Sequence, residues 1–150
     1  MARLQKGISG RTRLLFSGAI TTPDASKYAT ILDTTRRLPN EFGAVAGKSD
    51  ALPTVPAEDN AAGFRGQALG RIYAFAVACT TNNVALLQYG LAGDGTWQQF
   101  ATTTITAAAA PQAFTWDPSA YGFADILICV LAGGSAPGAV TVSITERTIP

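Results

Sequence analysis

Ten carboxylates, two cysteines and two tryptophans are the side chains with the most chemistry to offer in this chain of 150 residues. Histidine, the commonest general base and metal ligand, is absent. Its absence removes histidine-dependent triads and the usual zinc sites. The carboxylates are scattered. Glu58-Asp59 is the one adjacent pair, and it lies in a stretch without periodicity, where it reads as a solvated loop. Asp94, Asp117 and Asp125 could in principle supply the two acids of a glycosidase. Each has a simpler role at a turn or strand end. Ala92-Gly93-Asp94-Gly95 is similar to part of a calcium loop but lacks the flanking acids that coordination needs. Gly66-Gln67-Ala68-Leu69-Gly70 is followed by no Lys-Ser/Thr, so it is not a phosphate loop. The chain reads as non-enzymatic, with no metal and no cofactor expected.

Aromatic rings offer a different chemistry, because they stack on sugars. Trp97 and Trp116 are the candidates for glycan stacking, with Tyr89 and Tyr121 beside them. Trp97 directly follows a hairpin signal, where an exposed ring would be useful. The competing reading is a ring folded back over a sandwich edge as core. Cys79 and Cys129 fall on separate predicted strands without CxxC spacing. Buried thiols acting as small hydrophobes are the simpler reading, and a disulfide stays open.

Charge is sparse and uneven. Charged residues make up 14% of the chain, against about 25% in ordinary soluble proteins. A thinly charged chain either has a large core or covers part of its surface with partners. Residues 1–71 hold ten Lys or Arg and six Asp or Glu, whereas residues 72–150 hold one Arg and four acids. Arg3, Lys6, Arg11 and Arg13 open the chain with no acid among them. They suit an arm that lies on an acidic surface, or a solvated, frayed terminus. No aromatics interleave with them, so nucleic acid is not the expected partner. No secretory leader is expected, since Met1 to Gly10 lacks an apolar h-region, and no membrane span, since no apolar run approaches 18 residues.

The elements that must position these residues read as strands. Residues 1–12 form a flexible basic arm, and residues 13–150 a single domain. Arg13 to Ile20 is a first strand. Tyr28 to Asp33 is read as a second, with a short helix as the alternative. From Arg36 to Arg65, Pro39, Pro53, Pro56, Gly43, Gly47 and Gly63 break every pattern. Such a length without structure is unusual in a compact domain. Its Arg36, Arg37, Leu38, Phe42, Val45, Leu52, Val55 and Phe64 argue against plain disorder and suit an extended segment laid on a neighbouring subunit.

Leu69 to Leu91 is the centre of the chain. From Leu69 to Cys79, large residues (Leu69, Tyr73, Phe75, Val77, Cys79) alternate with small ones (Gly70, Ala74, Ala76, Ala78), Ile72 excepted. That predicts a strand packed on both faces, with a second sheet or a neighbouring chain pressed against its alanines. Thr80 to Asn83 is a turn, and Val84 to Leu91 the next strand. Gly93-Asp94-Gly95 is the clearest hairpin signal. A Thr-rich strand follows to Thr106, then Ala113 to Trp116, Ala124 to Leu131, and an alternating last strand from Val140. The sum is an all-β antiparallel sandwich or jelly roll of about 8 strands, with an extended N-terminal arm and a long irregular segment. Tyr73, Phe75, Val77, Leu86, Phe114, Ile126, Ile128, Val142 and Ile144 form the expected core.

Four strings carry a family likeness. They are Thr21-Thr22-Pro23-Asp24-Ala25-Ser26-Lys27-Tyr28-Ala29, Gly70-Arg71-Ile72, Ala124-Asp125-Ile126-Leu127-Ile128 and Val140-Thr141-Val142-Ser143-Ile144. With the strand pattern, the chain resembles the β-sandwich capsid decoration (cement) proteins of tailed bacteriophages. The likeness is one of architecture over most of the chain, and it transfers no site residues. It implies a virion protein made in the host cytoplasm that binds the outside of an assembled capsid. Its partners would be the major capsid protein and neighbouring copies of itself, as a trimer. The alternative function is a carbohydrate- or receptor-binding module of a phage tail or cell-surface protein.

Overall fold

The computed structural model describes residues 12–20, 27–35, 48–49, 51–55, 65–107, 110–132 and 140–148. Nine strands follow one another among these residues: β1 (Thr12–Ile20), β2 (Tyr28–Asp33), β3 (Lys48–Ser49), β4 (Arg71–Cys79), β5 (Val84–Leu91), β6 (Trp97–Ile105), β7 (Gln112–Trp116), β8 (Ile126–Ala132) and β9 (Val140–Thr148). They form two antiparallel sheets, ordered β1-β9-β4-β7 and β3-β2-β8-β5-β6.

The pairing has a simple origin. β5 pairs with β6, β4 with β7, β2 with β8 and β1 with β9. These are the nested rungs of one long hairpin, with its tip at residues 92–96. The hairpin is rolled over so that its rungs fall alternately into the two sheets. β4–β9 and β5–β8 pairing then closes each sheet. That arrangement is the jelly roll, and β3 is a two-residue addition to one edge. The strongest turn signal therefore sits at the apex of the whole roll. There Asp94 Oδ1 accepts from Thr96 N at 3.0 Å and from Thr96 Oγ1 at 2.6 Å, and Gly95 takes φ +85°. A left-handed residue at that point costs glycine little.

Alternation decides the layers. Tyr73, Phe75, Val77 and Cys79 of β4 are buried between the sheets, where they meet Leu86, Ile126, Ile128, Val130, Val142 and Ile144. Phe114 is half-buried at the β7 edge, and its ring stacks on Phe75 with centroids 4.9 Å apart. The second sheet covers the large-residue face of β4. The alanine face points the other way, outward. β4 starts at Arg71, so Leu69 leaves the expected strand. Leu69 lies 59% exposed in the turn that Gly70 completes at φ +67°.

A second, smaller cluster lies on the outer face of the five-stranded sheet. Leu87, Tyr89, Leu127 and Cys129 are buried there, with Tyr28, Leu52, Ala85, Trp97 and Leu131 packed against them. β5 and β8 are thus buried on both faces, which is why β8 reads as a continuous apolar run. The expected arm (1–12) lies outside the described residues except for Thr12, which opens β1. Most of the expected irregular segment (36–65) also lies outside them. Its described part is β3, residues 51–55 and Arg65. Among the described residues, no helix is long and apolar enough to cross a membrane.

Candidate functional site

The carboxylates considered for catalysis are each committed to structure. Asp94 makes the apex turn. Asp117 caps the 3-10 turn Pro118–Tyr121, accepting from Ser119 Oγ at 3.0 Å and Ala120 N at 3.3 Å. Asp125 is fully buried and fastens one end of the sandwich. Its Oδ2 accepts from Gly66 N at 2.8 Å, and its Oδ1 from Gln67 N at 3.3 Å and Thr34 Oγ1 at 3.0 Å. A cavity of about 480 Å³ opens beside it, lined by Arg65, Gly66, Leu91 and the apex turn. The Asp125 oxygens facing that end already hold backbone donors. Among the described residues, no group of three or more Cys, Asp or Glu is placed to hold a metal ion.

Both cysteines are buried free thiols in different clusters. Burial is the main cause that pushes the Cys129 thiol up to about 12, with Asp33 adding to it and a Thr30 hydrogen bond opposing it. A thiol held neutral in the fold ionises near 9 once unfolded. Its contribution is therefore complete below about pH 9 and is lost as the pH rises towards 12. Tyr89, pushed up to about 12 chiefly by burial, acts in the same direction. Urea midpoints should fall over that alkaline range, and Cys129→Ala should flatten part of the fall. An unchanged slope in the variant would assign the alkaline loss elsewhere.

The basic residues expected in the arm divide. Arg3, Lys6 and Arg11 lie outside the described residues. Arg13 belongs to β1, where its Nη2 donates to Glu146 Oε1 at 2.9 Å; Arg71 Nε lies 3.6 Å from Glu146 Oε2. The Arg13 side chain remains 65% exposed, so water screens the pair and its worth is small. Of the irregular-segment residues, Arg36, Arg37, Leu38, Phe42, Val45 and Phe64 lie outside the described residues. Leu52 packs onto the chain's own outer cluster, and Val55 is half-buried.

The two tryptophans are not free platforms. Trp97 Nε1 donates to Pro53 O at 3.1 Å, and its ring packs in the outer cluster with Leu52. Trp116 is only 5% exposed, and Phe100 is stacked on it at 5.7 Å and 15°. Among the described residues, the exposed rings are Phe100 (40%) and Tyr121 (60%), with centroids 4.5 Å apart and planes 49° apart. Phe123 meets Phe100 edge-on at 5.5 Å and Trp116 at 6.5 Å. A bulge creates this arrangement. In the β5–β6 ladder Gln88 faces Ala101 and Tyr89 faces Gln99, so Phe100 is the extra, unpaired residue. A bulge re-aims its side chain, here across the gap between the sheets onto Trp116. Sequence reasoning passed over Phe100 because neither composition nor alternation marks a bulge.

The outward face of the four-stranded sheet carries mostly small side chains, with exposed Leu14 beside Thr145 at one edge and Arg147 beside Ile72 at one end. Ala76 stands between Ser143 of β9 and Ala113 of β7, and Ser17 of β1 follows in the same row. Ala78, Thr141 and Ala19 form the next row, and Ala74, Thr145 and Thr115 another. Each of these side chains is exposed or half-buried. A shallow groove of about 490 Å³ runs between Ser17, Ala76, Ala78, Pro111 and Thr141.

This geometry defines an all-β jelly-roll sandwich of two antiparallel sheets. No family model matches the sequence, and no curated protein matches it. A solved structure of Bacillus endospore appendages, described as a novel family of disulfide-linked pili, is similar over 95% of this chain and 92% of that one. The identity is 14% and the TM-score 0.47.

Proposed function

We propose that this chain is a structural virion protein that binds the outside of an assembled phage capsid and stabilises the shell by bridging capsid subunits. The observation that supports this reading is the outward face of the four-stranded sheet. Its middle rows are built of Ala, Ser and Thr, so a partner's backbone can approach them closely without desolvating a charge. Small ligands prefer concave, largely enclosed sites. An open sheet face of small residues suits a protein partner instead. The major capsid protein and neighbouring copies in a trimer are the proposed partners, and the basic arm would add electrostatic attraction to an acidic shell.

Ala76→Glu tests the reading. It places a carboxylate at the centre of the face while leaving the interior untouched. The strand itself should lose at most about 1 kcal/mol from the poorer β propensity. Occupancy on purified capsids should drop more than tenfold, while the circular dichroism spectrum stays that of the native sandwich. Undiminished capsid occupancy would remove this face from the interface.

A further inference from the structure

From the aromatic patch at the β6–β7 side of the sandwich, we infer that the chain carries a binding site for neutral glycans, with Phe100 and Tyr121 as its stacking platform. This site is separate from the face proposed for shell attachment. Its rings come from different elements: Phe100 from the β6 bulge, Tyr121 from the 3-10 turn after β7. Phe100 is held from behind. Trp116 stacks under Phe100, and Phe123 closes its edge. A ring locked by packing loses little freedom when a ligand arrives, so the Phe100 half of the platform is pre-organised.

The ligand's class follows from charge and area. Residues 95–116, which include all of β6 and β7, contain no Asp, Glu, Lys or Arg. Nothing in those strands would recognise a phosphate, a carboxylate or an ammonium group. The exposed β6 neighbour of Phe100 on the same side of the sheet is Gln98, paired with Gly90, and its amide matches sugar hydroxyls. Gln99 Nε2 donates to Thr102 Oγ1 at 2.6 Å, bracing the strand across the bulge. The exposed ring surface amounts to roughly 200 Å², given the area that aromatic side chains present. A stable protein interface takes about 800 Å² from each partner. The patch is several-fold too small for that, and it fits one or two sugar rings.

Isothermal titration of the intact protein with maltoheptaose, cellohexaose and chitopentaose tests the site, with polygalacturonate as the charged comparison. At least one neutral oligosaccharide should bind saturably and change the tryptophan emission, because Trp116 lies under Phe100. Tyr121→Ala and Phe100→Ala should each weaken that binding on the order of tenfold. Tyr121→Phe should keep it, and Leu69→Ala, at an exposed side chain outside the patch, should leave it unchanged. Tyr121 is mostly exposed, so its alanine variant keeps the fold even if Phe100→Ala does not. Failure of all three neutral oligosaccharides to bind overturns the inference, as does equal binding of polygalacturonate or binding that survives Tyr121→Ala. Loss of capsid occupancy in Tyr121→Ala without any oligosaccharide binding would make the patch a protein contact. Ala76→Glu should leave oligosaccharide binding intact, which separates this site from the shell-binding face.

Discussion

Replacing Asp125 with alanine should cost the fold about 3–4 kcal/mol, a large part of the total stability of a domain this size. The carboxylate is buried and receives Gly66 N, Gln67 N and Thr34 Oγ1. Thr34 in turn exchanges bonds with Ile126: Ile126 N donates to Thr34 Oγ1 at 2.8 Å, and Thr34 N donates to Ile126 O at 3.1 Å. One side chain therefore ties the end of β2, the turn leading into β4 and the start of β8. The first and last of these lie in one sheet, and β4 lies in the other. Alanine would leave two backbone donors without their acceptor and would leave the Thr34 hydroxyl only Ile126 O, at 3.3 Å. Hydrogen bonds to a charged acceptor are worth about 1.5–3 kcal/mol each, and their losses here are not independent. Asp125→Asn should cost about half as much, since the amide keeps one acceptor but turns a donor towards donors. Urea unfolding followed by circular dichroism reads both. A midpoint for Asp125→Ala close to the parent would show that the clasp contributes little. Asp94→Ala, at the exposed apex turn, should shift the midpoint far less.

Much of the sandwich was legible because its strands obey alternation. Val140 to Ile144 alternate strictly, and β9 buries Val140, Val142 and Ile144 as that pattern requires. Tyr28 to Asp33 was ambiguous between strand and helix, and tertiary pairing with β8 decided for strand. Of the nine expected core residues, all but Phe114 are fully buried; those of β4 and β9 lie on the large side of an alternating run, whereas Ile126 and Ile128 belong to the continuous apolar run of β8. The outer cluster was not legible. Leu87, Tyr89 and Leu127 lie on the face away from the main core, and burial there depends on residues 51–55 returning across the sheet. No local pattern encodes that return. For the same reason Trp97 looked like an exposed ring after a hairpin tip and is instead covered by Pro53 and Leu52.

The candidate sites were less legible than the fold. The alanine face of β4 was visible as a place that needs a close partner, but alternation alone does not say which face meets the second sheet. The larger side chains won the interior because burying them stabilises more, by about 1.5–3 kcal/mol per large apolar side chain against about 0.8 per methyl-sized group. The small face was left outward. Asp125 was read as a strand-end residue. Its clasp depends on Gly66, Gln67 and Thr34 converging from far apart in the chain.

Gly90→Ala should destabilise the protein by about 1–3 kcal/mol although it adds a single methyl group. Gly90 lies within β5 and is buried. A Cβ built there would stand 2.2 Å from Phe123 Cδ1 and 2.3 Å from its Cε1 and Cγ. Because Cγ is among the atoms met, rotating the ring about its own axis does not relieve the clash. The whole ring must withdraw, and Phe123 is the edge contact for both Phe100 and Trp116. The methyl would therefore act twice, lowering the urea midpoint and moving the aromatic patch, which Trp116 emission would report. Phe123→Leu in the Gly90→Ala background should recover part of the loss, because the smaller side chain vacates the overlap. A coupling energy of about 0.5–3 kcal/mol between the two substitutions is the expected signature of direct contact. Additive effects, or a Gly90→Ala protein as stable as the parent, would show that Phe123 does not rest on Gly90. The same experiment bears on binding. If oligosaccharide affinity falls in Gly90→Ala and returns with Phe123→Leu, the platform depends on the absence of a side chain one strand away. Phe100 and Tyr121 would then owe their orientation to packing beneath them as much as to the bulge.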